Sequence, residues 1–302
     1  TAAGTKILWY TAFNDIMSAK SKVKRPYGHL PSLLEQMPIR PFDERSELGK
    51  PNMKVLHIDL DNTLIYSYKH DIGNDKINAE LYQNREISFL TRHTYENLKK
   101  IKENFLIVPT STRSIEQYNR IDLKIGNISY ALVCNGGVLL SDGEMDSSWY
   151  ETSLELIQES LPSLHMARQF LEKDPRRKFE LRFIEELFLF TKCDRPETVV
   201  KELRETLGTD KADVFHNKEK VYVVPGNLSK GKAVERFRHY IKADNVIAAG
   251  DSEFDIPMLR EADIGIAPHG FQKEYNIDFP IEEMSGNGIF SDEMSEKVLE
   301  LC

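Results

Sequence analysis

Two aspartates separated by a single residue, Asp59 and Asp61, close an apolar run that begins at Val55 and reads Val-Leu-His-Ile-Asp-Leu-Asp-Asn-Thr-Leu. Side chains alternate faces along a strand, so this spacing directs both carboxylates to one side and leaves the Leu60 carbonyl free for a third contact. Two acidic groups so placed repel each other. The pair persists when a cation, or a proton shared with one carboxylate, neutralises it. Such a pair can bind a divalent cation, or divide nucleophilic attack and proton transfer between its members. Acidic residues also end strands as turn formers or helix caps, so the motif alone does not decide between these uses.

Further groups of the same kind recur after later apolar runs. Phe105 to Pro109 is followed by Thr110, Ser111, Thr112 and Arg113, hydroxyls and amides at the start of a helix, which suit an anion. Asn227-Leu-Ser-Lys-Gly-Lys places Lys230 at another helix start, and Val246 to Ala249 is followed by Gly-Asp-Ser-Glu-Phe-Asp, with Asp251 and Asp255 flanking a turn. Singly, these are a helix cap, a solvated lysine and a turn. Their ordered placement at strand ends is what an open parallel sheet requires of a ligand site.

The elements that must position them alternate between strand-like and helix-like segments from residue 54 onward. Strands are expected at 55–59, 105–109, 131–135, 246–249 and 264–267, with helices at 91–103, 114–121, 230–241 and 254–260. Together they predict a doubly wound, mostly parallel α/β sheet. Residues 137–225 break the alternation, with a long helix at 153–172, strands at 179–184 and 187–192, a helix at 196–207 and strands at 212–216 and 221–224. That pattern predicts an inserted α+β domain with mostly antiparallel strands, for which Phe179, Leu181, Phe183 and Leu187 to Phe190 supply a core. The catalytic layer would then comprise 54–136 and 226–302. Residues 65–90 read as a polar connection.

Residues 1–53 differ in composition. Five of the 13 prolines and eight Lys/Arg against five Asp/Glu fall within residues 1–52, including a cluster of Lys20, Lys22, Lys24 and Arg25. The segment reads as an N-terminal extension or linker, and as a docking arm for an acidic protein partner only on the weaker reading. Across 302 residues the formal charge is −8, which argues against a general nucleic-acid binder. Cys134, Cys193 and Cys302 form no Cys-X-X-Cys pair, as expected of a reducing, cytoplasmic setting. No run of eighteen apolar residues and no basic-then-apolar start suggests a membrane span or a signal peptide.

Taken in order, Asp-X-Asp-X-Thr-Leu, the strand ending in a hydroxyl with an arginine two residues on, Ser-Lys-Gly, and Gly-Asp-Ser-X-X-Asp-Ile-X-Met-Leu resemble the haloacid dehalogenase superfamily of phosphatases. The position of the insertion, and Cys134-Asn135-Gly136-Gly137 at its opening, resemble the Cof-like, type IIB-capped branch, with the likeness covering about residues 54–302. The resemblance implies a Mg²⁺-dependent phosphomonoester hydrolase acting on a small phosphorylated metabolite, with a sugar phosphate as the first expectation. Asp59 would be the nucleophile that becomes an aspartyl phosphate, and Asp61 would protonate the leaving alcohol and then activate water. Ser111, Thr112, Arg113, Lys230 and Asn135 would bind phosphate or substrate. Mg²⁺ would be held by Asp59, Asp251 and the Leu60 carbonyl, with Asp61 in the metal set, while Thr63, Ser252 and Asp255 support the site.

Three departures from the family pattern stand out, one being the polar connection at 65–90, longer than a minimal flap needs. Thr110-Ser111-Thr112-Arg113 replaces Thr-Gly-Arg, so the choice of Ser111 over Thr110 rests on counting back from Arg113. Phe254 occupies a place where relatives often carry Asn, which removes a polar contact near the phosphate. The same chemistry would also serve a phosphotransferase or phosphomutase, and a chain that had lost turnover would be a partner-binding module; the intact acidic motifs favour the enzyme. His57 reads as a buried strand histidine rather than a metal ligand. Lys178, Glu180 and Arg182 give the insertion a charged face, solvated on the simplest reading and reaching the substrate on the other.

Overall fold

The computed structural model describes residues 53–208 and 211–302. The extension, its basic cluster and any partner docked there lie outside the described residues. Strand β1 (Lys54–Ile58) is the middle of a parallel sheet, flanked by β5 (Leu106–Pro109) on one side and β13 (Asn245–Ala249) on the other. β14 (Ile264–Ala267) and β15 (Glu282–Glu283) complete the order β15-β14-β13-β1-β5. β1 is buried on both faces, as its unbroken apolar run requires. On one face Leu56, Ile58, Ile107 and Ile247 pack in a core shared with Leu98 and Ile101 of α1 (Arg92–Ile101) and Met294 and Val298 of α9 (Phe290–Glu300). On the other face His57 meets Phe237 of α6 (Lys230–Ile241) edge-on, with ring centroids 5.5 Å apart.

Between β1 and α1 the chain folds into a second, small sheet where a polar connection was expected. β2 (Tyr66–Ser67), β3 (Lys76–Tyr82) and β4 (Arg85–Thr91) pair antiparallel in the order β2-β4-β3. Gln83 and Asn84, with φ of 50° and 60°, form the two-residue connection that suits the twist of a hairpin. After β5 and the short α2 (Ile115–Tyr118), β6 (Tyr130–Val133) joins the parallel sheet through the bridge between Thr110 and Leu132. It ends earlier than expected because Cys134 and Asn135 take φ of 54° and 58°, which turns the chain back into β7 (Val138–Ser141) and β8 (Glu144–Met145). β7 therefore pairs with β6 and β8 with β7, so residues 138–145 extend the β6 sheet, although the sequence pattern opens the insertion at 137.

The expected helix over 153–172 is two helices, α3 (Ser147–Leu156) and α4 (Leu161–Lys173), separated by a 3-10 turn at Gln158–Ser160. Asp146 caps α3 by accepting the Trp149 amide at 2.9 Å, and Pro162 at the start of α4 cannot continue an incoming helix. A four-stranded antiparallel sheet follows, in the order β11 (Ala212–Asn217), β12 (Lys220–Pro225), β10 (Phe188–Lys192), β9 (Arg182–Ile184). Its outer face packs Leu189, Val214, Val221 and Val223 against α4 and α5 (Pro196–Leu207), with Leu181 and Phe183 at the margin. Leu187 and Phe188 instead join Val133, Val138 and Leu140, which ties the inserted domain to the core. Among the described residues no helix is long and apolar enough to cross a membrane.

Candidate active site

Period-two alternation governs the chain only as far as the end of β1. Asp59 still belongs to the sheet, its amide donating to the Ala249 carbonyl at 2.9 Å, but the chain then turns. The Leu60 carbonyl accepts the Leu64 and Ile65 amides at 2.9 and 2.8 Å, so it closes this turn and is not the free contact that strand geometry suggested. Asp61, expected beside Asp59 among the metal ligands, projects instead toward the start of α2. There Arg113 grips it with two bonds, Nε to Oδ2 at 2.8 Å and Nη2 to Oδ1 at 2.7 Å.

Lys230 is the first residue of α6, whose N-cap Ser229 accepts the Lys232 amide at 3.2 Å. Its side chain is 1% exposed, and the ammonium donates to Asp59 Oδ1 and to Asp255 Oδ1, each at 2.5 Å. A lysine so placed is stable only because carboxylates surround it. Burial lowers its pKa, but Asp255 and Asp59 overcome that and raise it on balance.

Asp251 and Asp255 arrive on the turn that follows β13. A Cβ on Gly250 would meet the Asp255 Cβ at 2.3 Å, so glycine is what lets Asp255 fold back under the turn. Asp255 Oδ2 accepts the Asp251 amide at 3.1 Å, the Ser252 amide at 2.9 Å and the Ser252 hydroxyl at 2.8 Å. Asp251 Oδ1 accepts the Thr63 hydroxyl at 3.0 Å, which links this turn to the one after β1. Helix α7 (Ile256–Glu261) then leaves the turn. One ligand atom from each of Asp59, Asp251 and Asp255 falls within 4.8 Å of the others.

This donor set suits a hard divalent cation, which prefers oxygen ligands. Both Asp255 oxygens are already engaged, one by Lys230 and one by three donors, whereas Asp59 and Asp251 each have one oxygen so engaged. Asp59 and Asp251 are therefore the residues best placed to hold an ion, with Asp255 behind them. The carboxylates are under electrostatic load. Burial, together with Asp255 and Asp251 and against Lys230, pushes Asp59 well above the usual range, and burial with Asp255 pushes Asp251 up to about 7. Asp61 runs the other way: burial opposes ionisation, yet the Arg113 hydrogen bonds and charge hold it low.

The hydroxyls beyond β5 divide by use. Thr110 Oγ1 bonds the Val108 carbonyl at 3.1 Å and His57 Nδ1 at 2.9 Å, so it is committed to the sheet. Buried Ser111 accepts the Arg113 amide at 3.3 Å through Oγ, while its carbonyl accepts the Asn135 amide at 3.0 Å. Thr112 lies half-buried beside it. Asn135 donates from Nδ2 to the Leu228 carbonyl at 3.0 Å, and its buried Oδ1 has no hydrogen-bond partner among the described residues. Burial and Arg238 push His57 down to about 3, so the imidazole is neutral and its partner is the Thr110 hydroxyl.

The inserted sheet meets the site through Phe254, half-buried between the two acidic residues of the turn. Its ring lies 4.4 Å from that of Phe215 and 5.0 Å from that of Tyr222, centroid to centroid. Lys178 and Arg182 do not reach inward; they pair with Asp194 and Glu180. Sequence reading passed over Glu80, on β3, which is 1% exposed and bonded to Arg113. Its signal was a hairpin, two alternating segments with a two-residue connection at 83–84.

A sequence profile described as haloacid dehalogenase-like hydrolase matches residues 145–274. The phosphoglycolate phosphatase of Methanopyrus kandleri is 25% identical over 204 residues, covering 64% of this chain and 83% of its own. The sucrose-phosphatase of Synechocystis superposes with a TM-score of 0.57 at 15% identity, over 83% of this chain and 98% of that one. A subclass IIB sugar phosphatase gives 0.52 at 15% identity, over 82% and 99%. A Thermoplasma acidophilum protein gives 0.53 at 12% identity, over 83% and 99%. The structural likenesses speak for the fold, and the profile spans the later strand-end motifs with Lys230, Asp251 and Asp255. Residues 145–274 thus match the haloacid dehalogenase-like hydrolases, and this match together with the phosphoglycolate phosphatase likeness supports a phosphatase of the Cof-like kind.

Proposed function

We propose that the protein is a Mg²⁺-dependent phosphomonoesterase that works through an aspartyl phosphate on Asp59. The observation that carries this reading is the buried Lys230 ammonium, 2.5 Å from Asp59 Oδ1 and 2.5 Å from Asp255 Oδ1, at the tip of the central strand. A carboxylate in that position can attack phosphorus while the ammonium offsets the charge gathering on the phosphoryl oxygens. The Asp59–phosphorus bond forms as the bond from phosphorus to the leaving oxygen breaks, and Asp61, which takes up a proton from water on leaving Arg113, delivers it to that oxygen. Water then attacks phosphorus, gives its proton to Asp61, and releases inorganic phosphate with Asp59 restored.

Ser111, through its hydroxyl and the amides of the turn it opens, holds phosphoryl oxygens. Thr112 and Asn135 border the same space, Asn135 with a buried carbonyl oxygen still lacking a donor. Asp59 and Asp251 would hold Mg²⁺, with Asp255 fixing the turn and Lys230, and Thr63 and Ser252 fixing the carboxylates. Bound there, the ion would neutralise charge on the phosphoryl group and keep both carboxylates ionised. The substrate is a small phosphorylated metabolite. Sugar phosphates are the first candidates, a choice that rests on the sucrose-phosphatase and the subclass IIB sugar phosphatase that share this fold.

The test is release of phosphate from a generic aryl phosphate with Mg²⁺, followed by a screen of phosphorylated metabolites. Asp59→Asn should abolish turnover, and a chelator should do the same to the parent protein. Full activity in the variant would end the mechanism. Phosphate transferred to a second acceptor instead of water would replace hydrolase by phosphotransferase.

A further inference from the structure

Asp61 can protonate a leaving group only if it can leave Arg113, and how Arg113 is held on its other side bears on that step. Its Nη2 is shared between Asp61 Oδ1 at 2.7 Å and Glu80 Oε2 at 3.0 Å. Its Nη1 reaches the Gln117 carbonyl at 3.4 Å. The two carboxylates differ in kind. Asp61 has a side chain 53% exposed, whereas Glu80 is 1% exposed and fixed from three directions. Besides Arg113, it takes the Ser88 hydroxyl on Oε2 at 2.8 Å and the Arg120 Nε on Oε1 at 3.1 Å.

Removing the only partner of a largely buried ion leaves an uncompensated charge, which is strongly unfavourable. Here that penalty is avoided, because Glu80 remains on Arg113 when Asp61 departs. We infer that Glu80 is a positioning residue for the proposed reaction: anchored in the β3–β4 hairpin, it keeps Arg113 in place and neutralised so that Asp61 can move between Arg113 and the leaving group. The inference rests on the reading of Asp61 as the proton donor. It gives the extra hairpin of residues 66–91 a task in the chemistry.

The variant is Glu80→Gln, which preserves shape and removes the competing charge. Asp61 then becomes the sole carboxylate on Arg113 and is held there. An alkyl phosphate, whose leaving group needs a proton, should lose roughly tenfold or more in kcat/KM, which ends at release of the leaving group and so excludes the later attack of water; that is a fraction of what general acid catalysis supplies. The kcat/KM of p-nitrophenyl phosphate, whose leaving group needs no proton, should change by less than about twofold. Glu80→Asp should restore part of the alkyl rate and serves if Glu80→Gln does not fold. A merely structural role would lower both substrates together. Equal losses on the two, or none, would overturn the inference.

Asp61→Asn on the same two substrates, read again as kcat/KM so that attack of water on the aspartyl phosphate does not enter, separates the premises. If it spares neither substrate preferentially, the reading of Asp61 as acid fails, whatever Glu80 does. If it selectively loses alkyl turnover, adding Glu80→Gln to it should produce no further selective loss. A further selective loss in that double variant would mean that Glu80 acts by another route.

Discussion

Replacing Lys230 by Met tests the electrostatic logic of the site directly. The ammonium is the cation that Asp59 and Asp255 share, at 2.5 Å from each, and Lys230 and Asp255 are 1% and 0% exposed. Methionine fills much of the same volume without the charge, so the principal loss is the pairing. Breaking a buried pair from one side costs about 3–5 kcal/mol. At about 2–4 °C per kcal/mol for a protein of this size, the melting temperature at pH 7 should fall by roughly 6–20 °C. Two orphaned carboxylates can escape the penalty by binding protons, so the deficit should shrink as the pH is lowered toward 5. Added Mg²⁺ should also recover part of it at pH 7. Thermal unfolding of both proteins across pH 5–8, with and without Mg²⁺, measures each of these. Turnover should fall by roughly 10²–10³, as when a preorganised donor to a developing charge is removed. A variant as stable as the parent at pH 7, with the same pH profile, would refute the reasoning even if it were inactive.

Asp251 is pushed up to about 7 from an ordinary 3.8, so the metal-free folded protein holds a proton there that the unfolded chain gives up; stability should decline as pH rises through that window and level off above it. Mg²⁺ should therefore raise the melting temperature more at pH 7.5 than at pH 5, and a pH-independent gain would contradict this. Phe254→Ala removes ring contacts to Phe215 and Tyr222, worth about 0.5–1.5 kcal/mol each beyond the buried area. Faster amide exchange in β11 and β12 should accompany its lower melting temperature, and unchanged protection there would argue that the rings contribute nothing. Gly250→Ala forces a Cβ to within 2.3 Å of the Asp255 Cβ, so it should cost about 1–3 kcal/mol and weaken Mg²⁺ binding measured by calorimetry.

The parallel core was legible because its strands are apolar runs ended by polar turns, and the strand-end rule led to Asp59, Asp251 and Lys230, the carboxylates within 4.8 Å of each other and the lysine bonded to Asp59. Local chemistry hid the rest. The turn after Asp59 consumes the Leu60 carbonyl, so alternation could not foretell that Asp61 faces Arg113. The 153–172 segment carries apolar residues at helical spacing throughout, and only Pro162 marks the break between α3 and α4. The β3–β4 hairpin is polar enough to read as a connection, and Glu80 owes its burial to Arg113 and Arg120, residues distant in sequence. The positive φ values that stop β6 at Val133 belong to Cys134 and Asn135, neither of them glycine.

The six residues from Gly250 to Asp255 serve two masters, since Asp251 and Asp255 face the carboxylate cluster while Phe254 is wedged against the rings of Phe215 and Tyr222. Any force that shifts β11 and β12 is thereby transmitted to the carboxylates proposed to hold the ion. By thermodynamic reciprocity, if docking of those strands tightens cation affinity by some factor, cation occupancy tightens docking by the same factor. The contact of Phe254 with that sheet would thus join strand docking and loading of the proposed Mg²⁺ site in a single linked equilibrium.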